Sequence, residues 1–227
     1  ADAKTPTVMA DGMNTVGTAA RAKILRATVP ASAAVQADEL LAMTRDGEDG
    51  YRALFSNHDV VYIYHNRIDS IGDKRDSEER VFEAVEDALQ DLIRIVKKLT
   101  AANASNILVT ADHGFIYQHR ALAESDFSSS EAKGKQILWQ DRRFVVGKEL
   151  EAQAGLRAFS SSDLGLSGAL EVQLSKSINR MRLRGSGSRF VHGGASLQEV
   201  VIPVLQIHKK RHDDVDVVDV EILPGTS

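Results

Sequence analysis

Three polar clusters in this 227-residue chain follow apolar runs, and their residue types are those that bind divalent cations. One cluster follows residues 60–64, the second follows residues 107–110, and the third ends in a pair of glycines. Together they supply five candidate ligands: Asp69, Asp73, Asp112, His113 and His192. Carboxylate oxygens and imidazole nitrogens suit Zn²⁺ or Mn²⁺. The sequence therefore predicts a metal site if the fold brings these clusters together.

Each cluster taken alone is also typical of an ordinary turn, because Asp-Gly and His-Gly pairs are common at strand ends. The metal hypothesis depends on their joint occurrence. The first two clusters follow consecutive strands of one predicted βαβ unit, whose carboxyl ends share one edge of the sheet. His65 and Asn66 lie just before Asp69 and are candidates for contact with substrate phosphate. A packed, hydrogen-bonded side chain is the alternative for His65, and Asn66 is equally open.

A row of arginines is a further candidate for phosphate binding. Arg180, Arg182 and Arg184 alternate along a predicted strand, which would place three guanidinium groups on one face. Arginine matches phosphate geometry with two parallel donors, so DNA or another phosphodiester could bind there. A solvated strand face paired with acidic neighbours is the alternative.

The middle of the chain contains the elements that would position the candidate ligands. Residues 60–64 form a β-branched and aromatic run, which predicts a strand buried on both faces. A long amphipathic helix follows, with Asp76 and Glu79 as a predicted capping box. Residues 107–110 predict the next buried strand, which completes a right-handed βαβ unit. Upstream, residues 33–43 have helical spacing.

The rest of the chain has a different character. Short strand-like runs separated by Gly and Ser occur at residues 142–147, 170–174, 181–183, 200–205 and 215–223. We therefore predict an α/β fold, with a mixed sheet, flanking helices and a β-rich C-terminal half. Residues 1–123 would form the α/β part, 124–190 an insertion or β-rich subdomain, and 191–227 a return to the core sheet.

The composition of the chain excludes several classes of function and of site. The chain is 43% hydrophobic, with a formal charge of −4 and a pI near 6.0, so capture of nucleic acid by bulk charge is not expected. It has no cysteine, which excludes disulfides, thiolate nucleophiles and Cys-ligated metals. No apolar run is long enough to span a bilayer, and we expect a cytoplasmic protein without membrane partners.

The motifs, in this order, resemble the PglZ family of the alkaline phosphatase superfamily. They are DSIGD at 69–73, TADHG at 110–114 and HGGASLQEVVIP at 192–203, of which the last is the most specific. Residues 11–18 and 62–69 extend the resemblance to most of the chain. Proteins with this pattern look like the type A PglZ component of BREX, a multi-gene defence system of bacteria and archaea against bacteriophage. The resemblance implies an alkaline-phosphatase-like fold.

The resemblance also implies two divalent cations that act together in phosphoryl transfer. Asp69 and His192 match two ligands of one cation, and Asp73 occupies a position where the superfamily usually has histidine. Asp112 and His113 match ligands of the other cation. The extra carboxylate hardens the site, which moves the expected metal from zinc towards manganese or magnesium.

The superfamily places a further Asp and a Ser, Thr or Cys nucleophile upstream of these ligands. Asp11 imitates that Asp, and Thr15 and Thr18 are weak candidates for the nucleophile, whereas a strand-end turn is the alternative for this stretch. We therefore expect that the chain is a C-terminal fragment without its nucleophile segment, inactive alone.

The leading functional hypothesis is a metal-dependent phosphohydrolase in the full-length protein: a phosphatase, phosphodiesterase or nuclease. The resemblance implies other BREX proteins as partners. The alternative is a non-catalytic scaffold within the BREX complex. Clustered carboxylates favour the enzyme, because a scaffold has no physical need for charges that repel one another without a cation.

Overall fold

The computed structural model describes residues 7–183 and 187–210, which form a mixed α/β fold. Its helices are α1 (Thr18–Thr28), α2 (Ala37–Ala42), α3 (Tyr51–Ser56), α4 (Arg67–Gly72), α5 (Val81–Ala101) and α6 (Leu197–Val200). Its strands are β1 (Met9–Ala10), β2 (Met13–Asn14), β3 (Ser32–Gln36), β4 (Val60–Tyr64), β5 (Asn106–Thr110), β6 (Ile116–Tyr117), β7 (Gly134–Gln140), β8 (Phe144–Leu150), β9 (Leu156–Ser160), β10 (Glu171–Ser175), β11 (Phe190–Val191) and β12 (Val204–His208). Within these ranges, no helix combines the length and the apolar character that crossing a bilayer requires.

Two strand pairs and the long helix α5 contribute to one hydrophobic core. β3 and β4 run parallel, with Gln36 opposite Tyr64 at their carboxyl ends. β5 and β12 run antiparallel, with Thr110 opposite Val204. The buried core residues are Val35, Ala37, Leu40, Tyr51, Ile95, Leu99 and Ile107. The polar loops after β4 and β5 therefore start from strands anchored in the same core.

The helix predicted over residues 33–43 is wrong in its first half, since β3 occupies residues 32–36 and α2 begins at Ala37. A short run of Ala and Val has the same apolar pattern in a buried strand as in a helix, so spacing alone cannot separate them. Gln36 is the N-cap residue of α2, and its backbone N–H donates to the Glu39 carboxylate at 3.1 Å.

The long amphipathic helix is confirmed as α5, but its predicted capping box is wrong. α5 begins at Val81 after a 3₁₀ turn over Glu78–Arg80, and no side chain caps its first turn. Its buried stripe includes Ala84, Ala88, Ile95 and one charged residue, Asp91, with no exposed surface. A buried charge needs hydrogen-bond or ionic partners. Asp91 has three of them, His65, Arg67 and Arg94.

The predicted βαβ unit does not form within one sheet of the described residues, because β4 pairs with β3 and β5 pairs with β12 in separate sheets. Burial on both strand faces is wrong as well. Tyr62 in β4 is 51% exposed and Leu108 in β5 is 64% exposed. A continuous apolar run therefore predicted these strands correctly but did not show that only one face of each is covered.

The second half of the chain is β-rich, as predicted. Four antiparallel strands form a sheet in the order β7-β8-β10-β9, over a small core that includes Val145, Leu156 and Met181. The strand predicted at residues 181–183 is absent from the described structure, although Arg180 just before it bridges Phe127. The strand predicted at 215–223 lies outside the described residues. The proposed domain boundaries stay predictions.

Candidate metal centre

Helix α4 begins directly after β4 and carries two of the predicted ligands. Asp69 lies in its first turn and Asp73 at its end, and residues four apart share a helix face. Gly72 lets α4 pack closely on β11, because a Cβ at this position would lie 2.5 Å from the Phe190 ring. β11 leads into His192, whose Nε2 lies 3.2 Å from Asp73 Oδ1.

The loop after β5 supplies the next two predicted ligands. His113 Nδ1 lies 3.0 Å from the Gly114 carbonyl oxygen, which can only accept a hydrogen bond. The neutral ring therefore carries its proton on Nδ1 and presents an unprotonated Nε2, as a metal-bound histidine does. That Nε2 lies 3.6 Å from Asp69 Oδ2 and 3.9 Å from Asp112 Oδ1.

The structure brings all five predicted ligands together from three separate parts of the chain. Ligand atoms of Asp69, His113 and His192 lie within 4.8 Å of one another. The two imidazole rings stack, with centroids 4.4 Å apart and planes 11° apart. Asp73 and Asp112 contact the edges of this group. We call these five residues the Asp/His cluster; metal binding by them stays a prediction.

The Asp/His cluster has an excess of negative charge. Burial raises the pKa of Asp69, and the charges of Asp73 and Asp112 raise it further, against the lowering effect of the two histidines. The hydrogen bond to Asp73 raises the pKa of His192, although burial opposes it. In the described part of the chain, no lysine or arginine forms an ion pair with these three carboxylates. A divalent cation would supply the missing positive charge.

Glu199, in α6, holds the two histidine-bearing loops. Its backbone carbonyl accepts from Gly114 N–H at 2.8 Å, next to His113. Its carboxylate accepts from Gly194 N–H at 2.9 Å and from the Ser196 hydroxyl at 2.7 Å, on the loop after His192. Gly114 is required for this approach, since a Cβ there would lie 2.1 Å from the backbone oxygen of Gln198.

The same carboxylate pairs with Arg143, which precedes β8. Arg143 Nε and a terminal nitrogen donate to the two Glu199 oxygens at 2.8 and 2.9 Å, and both side chains are buried. Burial alone would raise the pKa of Glu199, but hydrogen bonds from Arg143 and Ser196 outweigh it, and the pKa lies below its usual value. This ion pair connects the β-rich half to the loops of the Asp/His cluster.

His65 and Arg67 are held by the buried Asp91 of α5. His65 Nε2 lies 3.1 Å from Asp91 Oδ2, and Arg67 donates to the same oxygen at 2.9 Å. Arg94 donates to the other oxygen. Burial raises the pKa of Asp91, but these hydrogen bonds outweigh it and the pKa is lowered. Asn66 precedes α4 and is exposed, with no side-chain hydrogen bond to another described residue.

The two candidate nucleophiles do not contact the Asp/His cluster. Thr15 Oγ1 donates to the Val8 carbonyl at 2.7 Å, and Thr18 Oγ1 accepts from Gln36 at 2.5 Å. Asp11, with a φ of 47°, lies in the tight turn between β1 and β2. This stretch is therefore the strand-end turn that was the alternative to a catalytic segment. Among the described residues, no serine or threonine hydroxyl hydrogen-bonds to the five clustered side chains.

The predicted arginine face does not form from its described members. Arg180 is 1% exposed, and its guanidinium donates to three backbone carbonyls, including that of Ser188 at 2.6 Å. Arg182 pairs with Glu124 and lies over the Phe127 ring. Arg184 lies outside the described residues. The alternation suggested a strand, but burial of Arg180 decides against a shared phosphate-binding surface.

Comparison with known proteins matches residues 1–207 to the family described as "BREX system PglZ alkaline phosphatase-like domain". The chain belongs to the PglZ family. This membership confirms the resemblance and the alkaline-phosphatase-like fold class predicted from the sequence.

Two curated PglZ relatives are similar over most of this chain. The alkaline phosphatase-like protein PglZ of Bacillus cereus (strain H3081.97) is 39% identical over 193 residues, which are 84% of this chain and 22% of the relative. The alkaline phosphatase-like protein BrxZ of Escherichia coli O9:H4 (strain HS) is 37% identical over 203 residues, which are 88% and 23%. The chain thus spans less than a quarter of either relative.

Among solved structures, murine ectonucleotide pyrophosphatase/phosphodiesterase 5 is similar with a TM-score of 0.48 and 12% identity. The match covers 81% of this chain and 61% of that one. An inactive variant of the same enzyme in complex with AMP matches equally well.

Sequence reasoning missed the residues that support the Asp/His cluster. Asp91 had a detectable signal, because it is a carboxylate on the apolar stripe of a predicted helix. Glu199 also had one, since Ser196 and Glu199 have capping-box spacing within the most specific motif. Arg143 had no local signal, because its partner lies 56 residues away.

Proposed function

We propose that this chain forms the metal-binding part of a metal-dependent phosphohydrolase that hydrolyses a phosphomonoester or phosphodiester. One observation carries the proposal: ligand atoms of Asp69, His113 and His192 lie within 4.8 Å of one another. Membership of an alkaline phosphatase-like family supports the reaction class.

The donor set fits divalent cations. Two imidazoles and a carboxylate are the ligands that catalytic zinc takes, and Asp73 and Asp112 add the oxygens that manganese and magnesium prefer. The family pattern divides the five donors between two cations, with Asp69, Asp73 and His192 on one. The geometry instead groups Asp69 with both histidines, so stoichiometry is part of the test. Bound cations would neutralise the attacking and leaving oxygens of a phosphoryl transfer.

The protein side chains have the task of holding the donors in place. Asp73 orients the His192 ring, and the Gly114 carbonyl fixes the tautomer of His113. Because no described hydroxyl reaches the Asp/His cluster, we propose that the nucleophile comes from another part of the full-length protein. The described chain alone would then be inactive.

Metal binding is tested by calorimetric titration of the full-length protein with Zn²⁺, Mn²⁺ and Mg²⁺. We expect one or two bound ions and a rise in melting temperature, since a ligand at 100 times its Kd stabilises by about 2.7 kcal/mol. His113→Ala and Asp69→Asn should abolish both effects. His208→Ala is the control, because the His208 ring hydrogen-bonds to Asn106 and, among the described residues, to none of the cluster. Binding that survives in H113A would contradict the proposal.

Catalysis is tested with p-nitrophenyl phosphate and its bis ester, then with single- and double-stranded DNA. We expect metal-dependent turnover that H113A loses by a factor of about 100 or more, because removal of a metal ligand or oxyanion stabiliser has effects of that size. H208A should retain activity. A protein that binds metal and its partners but turns over no ester would overturn the hydrolase and favour the scaffold.

We also propose that the protein acts with other BREX proteins in the cytoplasm. Co-purification of the Asp112→Ala/His113→Ala variant separates partner binding from metal binding. Retained partners with lost metal binding would show that assembly does not depend on the Asp/His cluster. Loss of partners together with metal would contradict an independent catalytic role.

A further inference from the structure

A cavity of about 420 Å³ lies at the carboxyl ends of β3 and β4, beside α4. Besides Arg67, its polar lining comes from Gln36, Asp38, Tyr64, His65, Asn66 and Ser70. This volume is in the range of small-molecule sites, and parallel strands bind ligands at their carboxyl ends.

The cavity and the Asp/His cluster lie on neighbouring faces of one helix. With about 3.6 residues per turn, Asn66, the residue before α4, and Ser70 within it lie about one turn apart, next to the face of Asp69 and Asp73. A molecule with its phosphate at the cluster would therefore have its adjoining group near the cavity.

The charges of the cavity argue against a second phosphate. Arg67 is the cation of the lining, and its nitrogens lie 2.8 Å from Asp91 and 3.6 Å from Asp87. His65 Nε2 is also held by Asp91. Asp38 is exposed and contributes a negative charge. A ligand here meets an arginine that is already paired and one carboxylate, which disfavour another anion.

Four polar groups in the lining are available to a ligand. The Asp38 carboxylate, the Tyr64 hydroxyl, the His65 Nδ1 and the Asn66 amide make no hydrogen bond to another described residue. A carboxylate accepts hydrogen bonds from hydroxyls, and so does Nδ1 in the His65 tautomer that donates from Nε2 to Asp91. The amide both donates and accepts. A carboxylate that accepts from sugar hydroxyls is a recurrent means of binding nucleotides.

We propose that this cavity binds the hydroxyl-bearing sugar of a phosphate ester, with Asp38 and Asn66 as the residues that select it. The inference rests on the proposed function, since it names the substrate class of the same site. Asp91 is a positioning residue, because it holds His65 so that Nδ1 remains for the sugar.

The test compares methyl phosphate, ribose 5-phosphate and 2-deoxyribose 5-phosphate as ligands of the metal-loaded full-length protein, by calorimetry. We expect both sugar phosphates to bind about tenfold more tightly than methyl phosphate, as one or two net hydrogen bonds would give. The sugar phosphate that binds more tightly identifies the source of the ligand as a ribonucleotide or a deoxyribonucleotide. Equal affinity of all three ligands would overturn the proposal.

Substitutions in the cavity test which residues produce the preference for sugar phosphates. Asp38→Asn combined with Asn66→Ala should remove the preference for sugar, whereas Asp49→Asn, an exposed acid outside the cavity, should leave it unchanged. A preference that persists in the double variant would overturn the assignment.

A ligand without phosphate separates this inference from the proposed function. Methyl β-ribofuranoside should give a saturation-transfer NMR signal with the metal-free full-length protein, and the double variant should lose it. That result would support the sugar site even if no ester is hydrolysed. Its absence in the wild type, with esters hydrolysed, would overturn the sugar site alone.

Discussion

The Asp/His cluster and the Arg143–Glu199 pair are two groups of charged residues a short distance apart that are built in opposite ways. Glu199 is buried, and its two oxygens accept five hydrogen bonds from Arg143, Gly194 and Ser196. The carboxylates of the Asp/His cluster are more exposed, and their ion-pair partners among the described residues are the two imidazoles. Asp112 also accepts from the His113 backbone N–H at 3.2 Å.

This difference shows where the chain supplies its own counter-charge. A buried ion must be paired and hydrogen-bonded to be tolerated, and Glu199 meets that condition within the protein. The three carboxylates of the Asp/His cluster have no lysine or arginine partner among the described residues, so an excess of negative charge remains there. We therefore interpret the Arg143–Glu199 pair as structural and the Asp/His cluster as prepared for a cation.

The largest effect is expected from breaking the buried pair. Arg143→Met removes the guanidinium and leaves the Glu199 charge without its main partner, so we expect a loss of about 3–5 kcal/mol in the free energy of unfolding. Urea unfolding measures it. The control is Lys135→Met, whose partner Glu149 is exposed, and which should change stability by about 0–1 kcal/mol. Equal effects would contradict the contrast between the groups.

A methyl group at Gly114 should have the next largest effect. Its Cβ would lie 2.1 Å from the Gln198 oxygen, so α6 and the His113 loop must separate. We expect Gly114→Ala to destabilise by about 1–3 kcal/mol and to weaken zinc binding. Calorimetry and urea unfolding check both effects. Unchanged zinc affinity would show that Glu199 does not position this loop.

Stability should also depend on pH through Glu199. Its folded pKa is lowered, so its contribution is complete above the unfolded value, near 4.5, and is lost as the pH falls through the folded value. Each unit of lowering is worth about 1.4 kcal/mol. The free energy of unfolding, measured from pH 6 downward, should fall less steeply in Glu199→Gln. The exposed control Glu149→Gln should follow the wild type; parallel profiles for all three proteins would contradict the assignment.

The smallest effect is expected from removing one exposed charge of the Asp/His cluster. Asp112 is 83% exposed; its Oδ1 lies 3.9 Å from His113 Nε2 and accepts a hydrogen bond from the His113 backbone N–H at 3.2 Å. Without metal, Asp112→Asn should change stability by only a few tenths of a kcal/mol, because exposed charges interact weakly. With zinc, the wild type should become more stable than the variant. Thermal unfolding with and without zinc checks this; a large metal-free loss would make Asp112 structural.

The sequence predicted the fold class and the clustering of Asp69, Asp73, Asp112, His113 and His192 because these features are carried by local strings. Apolar runs mark the strands, and polar residues just after them mark loops at the strand ends. The same strings supported the family resemblance. Pairing partners were less predictable: β5 pairs with β12, which begins 94 residues after Thr110, at the end of the strand predicted over residues 200–205.

The errors have physical causes. Residues 32–36 form a strand because the core needs a parallel partner for β4, which no local pattern states. Arg180 looked like a surface residue, but its long apolar stem and five donors let it be buried among carbonyls. In each case, distant residues decided the structure.

The Arg143–Glu199 pair has a consequence for the history of the family. The arginine belongs to the β-rich half, and the glutamate belongs to helix α6, which supports the loops of the Asp/His cluster. A recombination event that exchanged one half would leave one buried charge without its partner. We therefore expect the two residues to be inherited together or lost together, even where the strands between them diverge.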